Sequence, residues 1–437
     1  MKKVLIILYY WPPAGGAGVQ RWLKFVKYLR NFGWEPIVFA PENPDYPLVD
    51  ASREKEIPEG IKVIKFPIWE PFSLYKKFTG KKEEDKMDFG HLVNAKSYKQ
   101  KGWKERAALW VRGNLFIPDA RCFWIRPSVR FLYQYLKENP VDAMVSSGPP
   151  QSAHLIAMGL KDALNIPWIA DFRDPWGEYF NELSLSNWAR KQHETLERNV
   201  LQKSDKVVVV GKKMQIDNEK FAGVKSEIVM NGFDFEDYQS GSEVTIDENI
   251  FTISYVGTLS QRRNNSTFWK VIAKLRADNE AFRNKFIVQL IGKIDSSVSE
   301  DIAKYKLQDA VKIVNYMPFS EVIAEQQKST ALLLLVDNFE GSSWVLTGKF
   351  FEYLAANRPI LAIGPTDGDL AKEMNDTKCG IITNYEDEIG LEKAVLSLFE
   401  RFLKGELKQH KNEHIEKFSR LALTKRMAEI LTEISTK

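Results

Sequence analysis

Val4-Leu5-Ile6-Ile7-Leu8-Tyr9-Tyr10-Trp11-Pro12-Pro13-Ala14-Gly15-Gly16-Ala17-Gly18 follows directly on Met1-Lys2-Lys3. Two readings compete for this stretch. A basic start followed by an apolar run is how a secretory signal peptide begins. It is equally how the first buried strand of an α/β domain begins. The residues after it decide. An amphipathic helix is expected from about Val19 and stops at Gly33, which suits a helix C-cap. A second apolar strand follows at 36–40. Strand, glycine loop, helix and strand in that order is folded structure.

Working outward, short apolar runs recur at 4–8, 37–40, 63–66, 143–146, 168–170 and 207–210, with helical patterns such as 152–164 and 187–203 between them. A second series at 253–256, 286–291, 311–314, 331–336 and 360–363 alternates with helical stretches at 266–276, 320–328, 348–357 and 388–402. Near-continuous apolar strands alternating with helices mean parallel sheets covered on both faces. A polar stretch at 239–249 separates the two series and reads as a linker. The expectation is two doubly wound α/β domains, 1–235 and 236–415, facing a central cleft. A C-terminal helix at 416–437 is expected to pack back towards the first domain. In such sheets ligands bind beyond the carboxyl ends of the strands.

Composition narrows the class. The 437 residues are 44% hydrophobic and 27% charged, which excludes global disorder. No apolar stretch reaches the length of a spanning helix. A net charge of +4 gives no reason to expect nucleic acid as a partner. Cys122 and Cys379 lie far apart and show no metal-ligand spacing, so a reducing, cytoplasmic setting is expected. The average charge hides a polarity. Residues 1–137 carry 25 Lys+Arg against 14 Asp+Glu, while the rest carry 37 against 44. The excess concentrates at 71–137, with 15 basic residues, 6 acidic residues and 13 aromatics. This segment breaks the strand rhythm and reads as a largely helical insertion. Cations and rings on amphipathic helices suit an anionic membrane surface; the alternative is that the rings are core.

Three loops carry chemistry. In Gly15-Gly16-Ala17-Gly18 the glycines allow close backbone approach, and a helix start offers N–H groups to an anion. Gly16-x-Gly18 matches only half of a dinucleotide fingerprint, because Arg21 stands where a third glycine would. Glu42 would be the ribose-binding acid of that motif. A turn that simply needs glycine is the other reading. In the second domain, Gly348-Lys349-Phe350-Phe351-Glu352 opens a helix. Lys349 there faces the positive end of the dipole, which suggests an anion such as a diphosphate between them. Glu352, one turn on, is placed to accept ribose hydroxyls, or is a solvated carboxylate. Gly257-Thr258-Leu259-Ser260-Gln261-Arg262-Arg263 brings two arginines to a strand-to-helix loop, where phosphate is a natural partner.

These pieces in this order resemble the GT-B glycosyltransferases of family 4, over nearly the whole chain. Asn231-Gly232-Phe233-Asp234 resembles that family's hinge, and the block from Phe351-Glu352-Tyr353-Leu354-Ala355 to Pro359 its donor-site helix. Asp171-Phe172-Arg173-Asp174-Pro175-Trp176 resembles a block of members that build bacterial surface polysaccharides. The resemblance implies two Rossmann-like domains and retaining transfer of a sugar from a nucleotide diphosphate sugar to a glycan or polyprenyl-linked acceptor. It implies donor contacts from Gly15, Gly16, Arg262, Arg263, Lys349 and Glu352. It places Asp171, Arg173, Asp174 and His154 on the acceptor side as catalytic candidates, and implies no bound metal or other cofactor. A peripheral position on the inner membrane face follows from such an acceptor. The chain departs from the pattern at Trp344, where the family has an acid, at Thr258, where many members have Arg, and in carrying its histidine at His154 rather than on the preceding loop. A nucleotide-sugar epimerase of the same fold and a non-catalytic nucleotide-sugar-binding protein are the alternatives.

Overall fold

A computed structural model describes residues 1–71, 102–177, 185–239, 246–315, 317–339 and 341–436. Of the basic segment expected at 71–137, residues 72–101 lie outside the described residues, as do 240–245 of the expected linker. The chain forms two compact units, residues 1–230 with 421–437, and residues 231–420.

The first unit is built on a parallel sheet of β1 (Lys2–Ile7), β2 (Trp34–Pro41), β3 (Lys62–Phe66), β4 (Ala143–Gly148), β5 (Trp168–Phe172), β6 (Lys206–Val209) and β7 (Glu227–Ile228). Their spatial order is β3-β2-β1-β4-β5-β6-β7. The opening apolar run is therefore the central strand, with Val4 opposite Pro36 on one side and Ala143 on the other. Val4, Leu5, Ile6 and Ile7 are all wholly buried, as a strand covered by helices on both faces must be. The second unit repeats the plan with β8 (Phe251–Val256), β9 (Phe286–Ile291), β10 (Val311–Val314), β11 (Ala331–Leu335), β12 (Ile360–Ile363) and β13 (Gly380–Thr383). Its order is β10-β9-β8-β11-β12-β13, again all parallel. Strand order reverses between β1 and β4 in one sheet and between β8 and β11 in the other. Those two switch points are where such sheets bind ligands.

The helix Arg420–Ser435 returns to the first unit and buries Met427, Ile430, Leu431 and Ile434 in its core. Trp34 Nε1 donates to Thr432 Oγ1 at 3.3 Å, and Lys2 Nζ to Ser435 Oγ at 2.8 Å. The aromatics of the first unit divide into two groups. Trp11, Trp22, Trp34, Trp124, Trp168 and Trp176 are buried core. Helix Cys122–Glu138 buries Trp124, Ser128, Leu132 and Leu136 along one face, with Trp124 stacked 5.2 Å from Phe39. Its opposite face leaves Phe123, Arg126, Pro127, Arg130 and Phe131 exposed, at the three- and four-residue spacing of one helical stripe. The rings of this helix are thus core on one face and exposed on the other.

One buried ion pair ties this unit together. Arg21, on helix Ala17–Leu29, reaches the end of β5. Its Nη2 donates to Asp171 Oδ1 at 2.8 Å and its Nε to Oδ2 at 3.1 Å. The same guanidinium donates to the carbonyls of Val229 and Met230, each at 2.8 Å. Trp22 Nε1 and Ser147 Oγ complete the carboxylate at 2.7 and 2.8 Å. Burial by itself would raise the Asp171 pKa, but Arg21, Ser147 and Trp22 outweigh it and hold it below the usual carboxylate range. A depressed folded value means the pair contributes above the unfolded pKa and is lost as pH falls through the folded one. Asp171→Ala leaves a guanidinium buried and uncompensated, and should cost about 3–5 kcal/mol. Urea unfolding at pH 7 measures this; a loss under about 1 kcal/mol, the scale of an exposed pair, would contradict it.

Candidate functional site

Of the donor-side residues read from the sequence, Arg262 and Arg263 lie on the loop after β8 and Lys349 and Glu352 on helix Gly348–Ala355, while Gly15 and Gly16 belong to the first unit. Where β8 ends, Gly257 takes φ +108° and donates its N–H to Ile291 O at 2.7 Å. A side chain there would have to stand 2.7 Å from Lys349 Cε. Glycine is thus favoured by the backbone conformation, and a side chain there would displace the end of the lysine lying over it. Lys349, in the first turn of helix Gly348–Ala355, donates from Nζ to Tyr255 Oη at 2.9 Å and sits 4.6 Å from that ring's centroid. Tyr255 is itself buried and donates to Thr258 O at 2.8 Å. Arg263, from the loop after β8, brings Nη1 within 3.4 Å of the same Thr258 carbonyl. Two cations therefore converge on one phenol and one carbonyl oxygen.

Each cation is anchored. Arg263 Nε lies 3.0 Å from Asp337 Oδ1 and its Nη2 donates to Oδ2 at 3.2 Å. Burial works against the charge on Arg263, but Tyr255 and Asp337 more than offset it and raise its pKa. The helix start is presented openly. Thr347 makes no side-chain cap, its Oγ1 is buried without a partner, and the space beside Gly348 is empty to 4 Å. Tyr353 Oη fixes this helix to the sheet by accepting from Val256 N at 3.1 Å. Glu352 is half-buried one turn beyond Lys349. Its carboxylate, second to burial, pushes the pKa of Tyr238 well above the ordinary phenol value. Arg262 is half-buried beside Arg263. A left-handed glycine, two convergent cations and an uncapped helix start are features suited to holding an anion.

Tyr255 and Asp337 were missed in the sequence. Tyr255 reads there as one more strand aromatic. Asp337 carried a usable signal: a carboxylate closing the long apolar run of β11, beside the switch point.

At the switch point of the first sheet, Gly15 donates to Leu48 O at 2.8 Å and Asp50 N to Pro13 O at 2.7 Å, so the 48–50 segment braces the glycine loop. Gly16 takes φ +83° at the helix N-cap. Arg173 reaches this loop, donating to Gly18 O at 3.2 Å and to Pro149 O, with its guanidinium 5.8 Å from the Tyr10 ring. It staples the loop after β1 to the loop after β4. Asp174 is half-buried next to it.

His154 and Asp171 lie deeper. Asp171 is saturated by the partners described above. His154 is wholly buried and stacked 4.6 Å from Phe172. Trp168 Nε1 donates to Ser146 Oγ at 2.8 Å, and the same oxygen lies 2.8 Å from His154 Nδ1. His154 Nε2 has no partner, and a side chain on Gly148 would stand 2.5 Å from it. Gln151, buried alongside, also leaves both amide atoms unpartnered. Among the described residues no group of His, Cys, Asp and Glu is arranged to hold a metal ion.

Burial drives the His154 pKa down to about 3. A folded value below the unfolded one means stability falls as pH drops below about 6.5. Between pH 7 and 5 this residue should remove about 2 kcal/mol of stability. Paired unfolding curves of the wild type and His154→Phe at both pH values check it. Equal pH dependence in the two proteins would show that His154 titrates normally.

No protein-family model matches the chain, and no curated protein is similar to it in sequence. Solved structures do match over full length. Sucrose-phosphate synthase from Thermosynechococcus elongatus shares 12% identity at a TM-score of 0.65, covering 100% of both chains. HepE from Anabaena, in complex with UDP-glucose, shares 12% identity at 0.60, covering 99% of this chain and all of its own. WaaG, a glycosyltransferase involved in lipopolysaccharide biosynthesis, shares 13% identity at 0.57, covering 98% and 99%. The likeness shows the fold: two Rossmann-like domains, as in GT-B proteins.

Proposed function

We propose that this protein is a retaining glycosyltransferase that moves a sugar from a nucleotide diphosphate sugar to a glycan or lipid-linked acceptor in surface-polysaccharide synthesis. The carrying observation is the convergence of Lys349 and Arg263 on Tyr255, beside Gly257 and the uncapped start of helix Gly348–Ala355. Arg263 is paired with Asp337 through Nε and Nη2, but Lys349 is held, among the described residues, only by a neutral phenol, and a diphosphate has the charge and oxygens to engage both cations. Structures of the same fold bind such donors, as HepE does with UDP-glucose.

In this reading the anomeric carbon exchanges its bond to the diphosphate oxygen for a bond to an acceptor hydroxyl. The hydroxyl proton leaves with the diphosphate. Lys349, Arg263 and the helix N–H groups stabilise the charge that grows on the leaving group. Glu352 holds the ribose, Arg262 supports Arg263, and Gly15 and Gly16 are donor contacts supplied by the first domain. Arg173 and Asp174 border the acceptor. The saturation of Asp171 and the burial of His154 count against an epimerase, which needs acids and bases free to exchange protons.

Thermal shift against UDP, GDP, ADP and their sugars tests the donor site. A ligand at a hundredfold excess over Kd should stabilise by about 2.7 kcal/mol. Lys349→Ala and Glu352→Ala should abolish most of the shift, and an unaltered shift in both would refute the assignment. Release of nucleoside diphosphate on turnover separates transfer from binding alone.

The lipid-linked acceptor implies a membrane surface. Among the described residues no helix is long and apolar enough to cross a bilayer. The exposed stripe Phe123, Arg126, Pro127, Arg130 and Phe131 has the composition of an anionic interface contact. Each cation near such a surface is worth about 1 kcal/mol. Arg126→Glu with Arg130→Glu should therefore cut sedimentation with phosphatidylglycerol vesicles more than tenfold. Undiminished binding would sink this part of the reading.

A further inference from the structure

We infer that Asp337 is a positioning residue of the anion site, acting through Arg263; the inference rests on the donor-site reading above. Asp337 follows β11 and so stands across the switch point from the loop that carries Arg263. Its carboxylate engages Nε and Nη2 of the guanidinium and leaves Nη1 on the side of Thr258 O and Tyr255. An arginine held by that edge can give the remaining N–H groups to a phosphate without first losing its partner.

Both ends of the pair are fixed from behind. The main-chain oxygen of Asp337 accepts from Tyr385 Oη at 3.0 Å, and the same hydroxyl lies 3.3 Å from Ser342 Oγ. On the arginine side, Asn265 Nδ2 donates to Tyr385 O at 2.9 Å. Asn264, next to Arg263, donates to Asp301 Oδ2 at 2.7 Å and accepts from Trp269 Nε1 at 2.8 Å. The two side chains are 20% and 22% exposed, enough for a ligand to reach them and too little for either to sweep freely.

Charge alone makes the opposite prediction. A carboxylate beside an anion site repels the anion, so its removal should tighten binding. A positioning role demands that removal weaken it, because Arg263 then loses the geometry that presents Nη1. The sign of one measurement distinguishes them.

Binding of nucleoside diphosphates (UDP, GDP, ADP) and of inorganic pyrophosphate is titrated calorimetrically for wild type, Asp337→Asn, Asp337→Glu, Arg263→Ala and the double variant Asp337→Asn with Arg263→Ala. Far-ultraviolet circular dichroism melts confirm that each variant folds. We expect Asp337→Asn to weaken binding about tenfold or more, Asp337→Glu to recover most of it, and Asp337→Asn to have less than a twofold effect once Arg263 is gone. Equal or tighter binding by Asp337→Asn overturns the inference, as does an undiminished effect in the Arg263→Ala background. Pyrophosphate keeps the two readings apart. If the wild type binds pyrophosphate but no nucleotide, the donor reading fails while the Asp337 effect is still read on pyrophosphate. If it binds neither, both fall.

Discussion

The fully buried pair of Arg21 and Asp171 is the constraint around which the first domain is arranged. Taking a guanidinium and a carboxylate out of water is costly, and the cost is met only if nearly every donor and acceptor is used. Here Asp171 accepts from Arg21, Trp22 and Ser147, while Arg21 also caps the carbonyls of Val229 and Met230. That single cluster joins the helix after the glycine loop, the end of β4, the end of β5 and the last residues before the second domain. The glycine loop cannot shift without disturbing it. Arg173, two residues beyond Asp171, then reaches back over the loop to Gly18 and Pro149.

The second domain solves the matching problem with opposite exposure. Its cations are kept part-open at the sheet's switch point, and their anchors are Tyr255 and Asp337 rather than a sealed carboxylate. The contrast suits the proposed roles: a buried structural pair must use nearly every donor and acceptor, whereas a cation proposed to bind a ligand must keep an unfilled side. Gly257 leaves room for the end of Lys349, which a side chain there would displace.

Much of this was legible in the sequence. The continuous apolar runs gave every strand but the two-residue β7 and β13, and their alternation with helices gave both doubly wound sheets. Lys349 and the pair Arg262-Arg263 stood out because each breaks a local preference: a lysine at the positive end of a helix, an arginine pair in a tight loop. Asp171 was readable as a polar residue at a strand end and His154 as a lone histidine inside a helix, but not their state. Whether a carboxylate is free or saturated depends on Arg21, Trp22 and Ser147, which sequence distance separates from it. Arg21 was seen only as a mismatch to a fingerprint.

The sequence by itself determined the parallel sheets, their division into two domains and the loops that bear charge, because periodicity and residue type act locally. The tertiary structure alone decided which charges are spent and which are offered. It buried Arg21 on Asp171, held Arg263 with Asp337, and turned one face of helix Cys122–Glu138 into core and the other outwards. Those outcomes depend on groups brought together from distant parts of the chain. Electrostatic energies change several-fold with burial and partner distance, so no reading of residue types in order could have assigned them.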